Sequence, residues 1–502
     1  MVMNPPRTTG PQVYVRRNVY NLAPDGPEIA GLRRGIAEMI RRSQVNPADP
    51  TGWIYQANVH GAPDREPLPA WNQCPHGNFF FLSWHRMYLY FFERILKRAS
   101  GDPGLALPYW DYSGSEAQSA LPRVFRDPAD PSSNPLYVRE RDSRINGGGL
   151  LDPRDVSVAG VFRYPNFHSP NGTDSFGGQI GRDPKRVGPP GALESTPHNA
   201  VHSSIGGWMG DVNMAARDPI FWLHHANIDR LWKRWLDRGN NNPGHEPDEE
   251  DWWTREFPFV DEGGNQVTMT GRAIIDTVGQ LGYRYEDDPP LPAIRVAREI
   301  GAVRAAALGE QQPPAVVVGA STQPVVLGAE PVTVSIPLQP TAASELAAAL
   351  QPAAGAGPEE RAATRTVERR VLLHLRDISF EEIPVGTYAV YLNLPEGEEP
   401  AYPSPYYVGI LSFFGLGPMD HDGHEGPAHG QRSFDITPNV LVLGERGEWP
   451  SQQARVTFVR TEIRPPLPGD ETPAAAAASA ALELEAPPPQ VNIGSVSIEI
   501  AP

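Results

Sequence analysis

The chain has 502 residues, a net charge of −17 and an isoelectric point near 5.3. That balance excludes the basic patches on which non-specific binding to nucleic acid or to anionic membrane surfaces depends. The length suits about three domains, or one large single-core domain with an appendage.

No apolar run approaches the roughly 18 residues of a membrane span. The opening MVMNPPRTTG lacks the apolar stretch of a secretory signal, and the single cysteine, Cys74, cannot form an intrachain disulfide. The expected location is therefore the cytoplasm. Proline, 56 of 502 residues, is about twice its usual share of roughly 5%, which predicts long ordered loops.

In chain order, Ile29, Leu32, Ile36 and Ile40 recur at helical spacing and predict an amphipathic helix over 26–43. Helices are also predicted from Trp53 towards His60, from Ser83 to about Arg98, from Pro197 to about Ile205, and from Pro219 to about Leu236. These four carry five of six clustered histidines. Pro/Gly/Asp-rich stretches over 113–135 and 165–193 read as loops over a helical core. Past residue 300 the composition shifts to Ala, Pro, Val and Gln, which predicts a linker over 301–365. VTVSIPL at 332–338 is a further strand candidate there. From 366 to 502 short strands follow: VERRVLLHL, GTYAVYLNL, YYVGILSFF, NVLVLG, ARVTFVR and VNIGSVSIEI. They predict a β-sandwich.

The six histidines form two groups of three: His60, His76 and His85, then His198, His202 and His225. Imidazole is a borderline ligand favoured by copper, zinc, iron and nickel, and three imidazoles leave a metal with open positions. His198 and His202 sit one helical turn apart. Asp218 before Pro219 has the form of an N-cap with proline at the first helical position. The helix it starts aligns Phe221, His225, Ile228, Trp232 and Trp235 on one stripe. His225 then faces the core, while His224 points about 100° away. Two such triads predict a paired metal centre able to hold a small ligand between its ions.

The segments HGNFFFLSWHRMYLYFFERIL, LPYWDY, STPHNAVH and DPIFWLHHANIDRLW resemble those of the tyrosinase family, the type 3 copper phenol oxidases related to catechol oxidases and haemocyanins. The resemblance spans roughly residues 15–240. It implies a four-helix bundle over 1–300 around two coppers, with His60, His76 and His85 on the first and His198, His202 and His225 on the second. O2 would be the co-substrate and small phenols the substrates. A copper pair can exchange electrons with O2, whereas zinc has no redox chemistry. The fold class expected is thus a mainly α catalytic domain followed by an all-β sandwich-like domain that can act as a lid. Neither nucleic acid nor membrane is expected as a partner, and a homo-oligomer is compatible with the sequence.

The resemblance extends to further positions. Glu194 and Asn199 match the pair that orients a water able to accept the phenol proton, which would make monophenols substrates as well as catechols; helix-terminus service is the alternative. Val212 aligns with the gate position over the site, against ordinary loop packing. Phe221, one turn before His225, is expected to pack on the ligands and exclude water. Cys74 stands in the Cys-x-His arrangement that in fungal members forms a thioether to the imidazole, here to His76; a small buried thiol is the alternative. Asp229 and Asp111 either accept imidazole N–H groups or tie Arg86 and Arg230 into the scaffold, the reading preferred. Phe413, Phe414 and Leu416 are candidates for the apolar plug that covering domains of the family insert, although membership of the sandwich core is the expectation. HDGHEGPAH at 421–429 reads as a solvated loop in preference to a second metal site. Competing functions are a catechol or o-aminophenol oxidase, an O2 carrier with the same coppers, and, remotely, a dinuclear hydrolase, which would need bridging carboxylates.

Overall fold

Proline in the first turn starts helix α1 (Pro27–Val45), whose buried Ile29, Leu32, Ile36 and Met39 face the core, with Ile40 half-buried beside them. This computed structural model describes residues 13–63, 68–169, 175–181, 189–238, 247, 249–289, 315–350, 369–416, 430–450, 452–470, 472 and 490–501. Helices α2 (Trp53–His60), α3 (Phe81–Ser100), α4 (Ala200–Ile205) and α5 (Pro219–Arg238) enclose the histidines. The helix expected from Pro197 is shorter. Residues 194–199 make an irregular turn with Thr196 extended, as the residue before a proline prefers, and regular helix begins at Ala200.

Short strands edge the helices: β1 (Tyr14–Arg16), the hairpin β2 (Phe257–Val260) and β3 (Gln266–Met269), and β4 (Tyr283–Tyr285), which pairs with β1 in parallel. A buried knot of charge ties these pieces together. Arg16 of β1 reaches Glu93 of α3 at 2.5 Å, and Arg86 of α3 reaches Asp229 of α5 at 2.5 Å. The Tyr283 and Tyr285 hydroxyls donate to the same Asp229 at 2.5 and 2.6 Å. Arg230 pairs with Asp111 at 3.1 Å and Asp287 at 2.7 Å. Asp229 and Asp111 therefore serve the scaffold's arginines.

Two facing sheets form the rest: β10 (Tyr407–Leu411), β9 (Tyr388–Leu392), β12 (Gln453–Arg460) and β7 (Val332–Pro337) in one; β11 (Gly430–Asp435), β8 (Val371–Phe380), β13 (Val491–Ile500) and β5 (Val316–Ser321) in the other, where β6 (Val325–Leu327) also pairs with β13. This corrects the boundary read from composition. The sandwich begins near residue 316, inside the stretch expected to be linker, because β7 alternates buried Val334 and Ile336 with exposed neighbours in a Pro- and Ala-rich context that masks the pattern. NVLVLG, expected as a strand, lies in a helix, Thr437–Glu445, which has proline in its first turn. The HDGHEGPAH segment lies outside the described residues.

Past β12 the chain crosses back onto the helical part. Leu150 and Arg464 exchange backbone hydrogen bonds of 2.9 Å, Arg126 grips Asp470 at 2.5 Å, and Thr472 Oγ1 donates to the Asn146 carbonyl at 3.1 Å. The two apolar cores also trade members: Phe414, from the loop after β10, is buried in the helical core, and Ala200 of α4 is buried in the sandwich core.

Candidate metal centre

All six histidines are buried, and each group of three closes on itself. In the second, His225 Nε2 lies 3.3 Å from the Nε2 atoms of both His198 and His202. Two imidazoles bound to one metal at about 2.0–2.1 Å and a tetrahedral angle would hold their nitrogens at that same separation, about 3.3 Å. The spacing is therefore that of a ligand set. In the first group Cys74 joins the three histidines, with its Sγ 3.4 Å from His76 Nδ1, 3.9 Å from His76 Nε2 and 3.3 Å from His85 Nε2. The groups abut: the His85 and His225 rings stack at 4.3 Å, and the His76 and His198 rings lie 5.7 Å apart.

Main-chain carbonyls aim the rings. His60 Nδ1 meets the Val212 carbonyl at 3.0 Å, His85 Nδ1 that of Phe81 at 2.7 Å, and His202 Nδ1 that of Met209 at 2.7 Å, which turns each Nε2 inward. His198 Nδ1 is held instead by Asn199 Oδ1 at 2.9 Å. The chain can return to Met209 so soon after α4 because Gly206 and Gly207 both have positive φ. A Cβ on Gly207 would stand 1.8 Å from the Glu140 carbonyl oxygen. Burial pushes His198 down to about 3 and His202 and His225 far below the ordinary range, so these rings are neutral and their lone pairs available to a metal.

Phe221, Glu194 and Val212 lie beside these groups. Phe221 is fully buried, 4.8 Å from the His60 ring and 4.1 Å from that of His225, touching both triads. Glu194 is 2% exposed and accepts the Gly77 N–H at 2.8 and 3.1 Å; burial pushes its carboxyl up to about 8 against the pull of Gly77 and Arg432. Val212 reaches the site through its carbonyl. His224, set aside by the stripe argument, still comes within 4.8 Å of the second group, its ring 5.3 Å from that of His198.

Phe414 lies against the histidines in the helical core, not in the sandwich core as expected. Its ring stacks on His202 at 3.9 Å and 13°, and lies edge-on to His76 and His198 at 5.6 and 5.5 Å. Phe413 and Leu416 do belong to the sandwich core. Sequence reasoning missed Phe81, whose ring sits 4.6 Å from both His85 and His198, and Ser203, whose Oγ accepts the amides of Phe413 and Phe414. Phe81 was discoverable, since it stands one turn before His85. Nothing in the sequence marks Ser203.

A bundle holding two all-imidazole triads with no carboxylate in either group, capped by a β-domain, defines a binuclear metalloprotein of the oxidative kind and not a carboxylate-bridged hydrolase. The comparisons agree. The common central domain of tyrosinase matches residues 50–189 and 164–238, the polyphenol oxidase middle domain matches 246–297, and a domain of unknown function, DUF7868, matches 314–466. Tyrosinase HcTyr1 of Hahella sp. (strain CCB-MM4) is 31% identical over 483 residues, 88% of this chain and 94% of that one. Polyphenol oxidase A1 of Vicia faba is 33% identical over 271 residues, 48% of this chain; the chain spans 43% of its length. Latent apple tyrosinase shares the fold, with a TM-score of 0.62 at 22% identity over 98% of both chains, as does latent aurone synthase, with 0.60 at 21% over 98% and 90%. The chain belongs to the tyrosinase family. Phenol oxidation at a dinuclear copper site is the activity of that family, and two triads of buried imidazoles suit copper.

Proposed function

We propose that this phenol oxidase is a complete tyrosinase, which hydroxylates monophenols of the tyrosine kind to o-diphenols and oxidises these to o-quinones with O2. The observation that carries this reading is the buried Glu194 carboxyl on the Gly77 N–H, next in the chain to His76, together with Asn199 on His198 Nδ1. When bound, the copper pair supplies the exchange of electrons with O2 and phenol. The chain's own residues do the rest. Glu194 and Asn199 hold a water that takes the phenolic proton, and a carboxyl pushed up to about 8 accepts and returns protons near neutrality. Asn199 Oδ1 is committed to His198 Nδ1, so its amide nitrogen faces the water. Phe221 and Phe81 wall the ligands from solvent.

The chain as folded is the latent form in this reading, as its structural neighbours from apple and aurone biosynthesis are named, because Phe414 occupies the face of His202 that a phenol must approach. Cys74 Sγ lies beside the His76 ring, at a place suited to a thioether; the copper-treated protein would then be lighter by two hydrogen atoms and carry no thiol titratable after unfolding.

Oxygen uptake decides the substrate range. With tyramine as sole substrate and no diphenol primer, uptake after a lag is expected. Turnover of catechol without any response to tyramine would instead identify a catechol or o-aminophenol oxidase, and reversible O2 binding without turnover of either would identify a carrier.

A further inference from the structure

The plug is gripped from two sides. Its amide donates to Ser203 Oγ at 3.2 Å, and its carbonyl accepts Arg432 Nη2 at 2.7 Å. Arg432 lies on β11, the edge strand of the five-stranded sheet, yet its side chain is not at the surface: the residue is 9% exposed. Nη1 reaches only the Gln431 carbonyl, at 3.3 Å, and the buried Nε has no hydrogen-bond partner among the described residues. Burial pulls the guanidinium down to about 10, which leaves it charged at neutrality, and the carboxylate whose field opposes that pull is Glu194 of the helical part. Reciprocally, Arg432 is the cation that favours the Glu194 carboxylate. A covering domain that merely shielded an apolar pocket would bury no guanidinium, because desolvating a charge is costly unless hydrogen-bond acceptors such as the Phe414 carbonyl answer it.

We propose that Arg432 is the positioning residue of the lid: its Nη2 fixes the Phe414 carbonyl from the sandwich side while Ser203 Oγ holds the Phe414 amide from the helical side. This rests on the latency reading above. Ser203 alone would hold only the amide side of the plug. With both grips the ring is fixed flat on His202. The plug is then held by a buried guanidinium and not only by apolar contact.

A plug that competes with substrate raises the apparent KM by the closed-to-open ratio and leaves kcat unchanged, since the fraction of competent molecules multiplies affinity. Steady-state oxidation of 4-tert-butylcatechol by the full copper-loaded chain therefore reads the grip directly. Arg432→Met is expected to lower the apparent KM about tenfold or more, the order expected for losing a hydrogen bond to a charged group, with kcat within about twofold. Arg432→Lys, which keeps a charged donor for the Phe414 carbonyl but loses the planar fork, should restore part of the wild-type KM. If the methionine variant does not fold, Arg432→Gln serves, with the same fall expected. Phe414→Ala is the reference. Should it lower KM while neither Met nor Gln at 432 does, Arg432 is not the latch and the latency reading stands. Should Phe414→Ala also leave KM unchanged, latency itself is wrong and the latch falls with it. A fall in KM matched by losses of kcat and copper content would show a damaged site and equally overturn the proposal.

Discussion

At the scale of single residues, the rings at this centre are aimed by atoms that carry no sequence signature. His60, His85 and His202 give their outer nitrogens to the carbonyls of Val212, Phe81 and Met209, which any residue at those positions would offer. Such support survives side-chain substitution, so damage should concentrate in the ligands themselves. His202→Ala is expected to reduce copper from two per chain to about one and to lower catechol turnover by at least ~10²-fold, since even losing an outer partner of a metal ligand costs about 10–100-fold. Metal analysis beside an oxygen-uptake assay checks this; two coppers with turnover intact would dissolve the second triad. The triads were legible because ligand identity and helical spacing are written in the chain. The acceptors were not: Asp229 and Asp111 stood at suitable spacing, but buried arginines claimed them, and main-chain oxygens took their place.

Among elements, the contrast between α5 and the lid strands shows what a sequence can announce. Asp218 Oδ1 caps the Ile220 N–H at 3.0 Å and its stripe puts His225 inward, because a cap, a proline and a 3.6-residue period coincide. Strand β11, GQRSFD, carries no such signal. It is a polar edge strand whose Phe434 is buried in the sandwich core and whose Arg432 is buried on the Phe414 carbonyl, a circumstance set by tertiary contact alone. Packing of α3 against α5 depends on Asp229 in a similar way. Burial alone would raise its carboxyl, yet Arg86 and Arg16 outweigh burial and hold it below the usual carboxylate range. Asp229→Asn leaves two fully buried guanidinium groups without that charge. We expect a loss of about 3–5 kcal/mol in urea unfolding, the scale for breaking a buried ion pair from one side. A change below about 1 kcal/mol would mean that Glu93 and the tyrosines suffice.

Across the whole molecule, one carboxyl bridges the metal-bearing helices and the lid. Asp155 is buried between Ser204 Oγ of α4 and Thr387 Oγ1, just before β9, accepting from both at 2.6 Å. Burial first, and then the Asp152 charge, push it up from 3.8 to about 7, despite those two hydroxyls and Arg154. An acid whose folded value is raised contributes stability that is complete below the unfolded value, near 3.8, and disappears as pH rises through about 7. Closure of the lid on α4 should therefore weaken between about pH 4 and 7, unlike an ordinary paired carboxylate, which strengthens over that span. Asp155→Asn carries no charge to desolvate. The melting temperature of wild type minus that of the variant is expected to fall by a few degrees across this window and to level off above about pH 8. Parallel melting curves from pH 4 to 8 would mean that Asp155 does not change its protonation in the folded chain, and the domain junction would owe nothing of its pH response to this carboxyl.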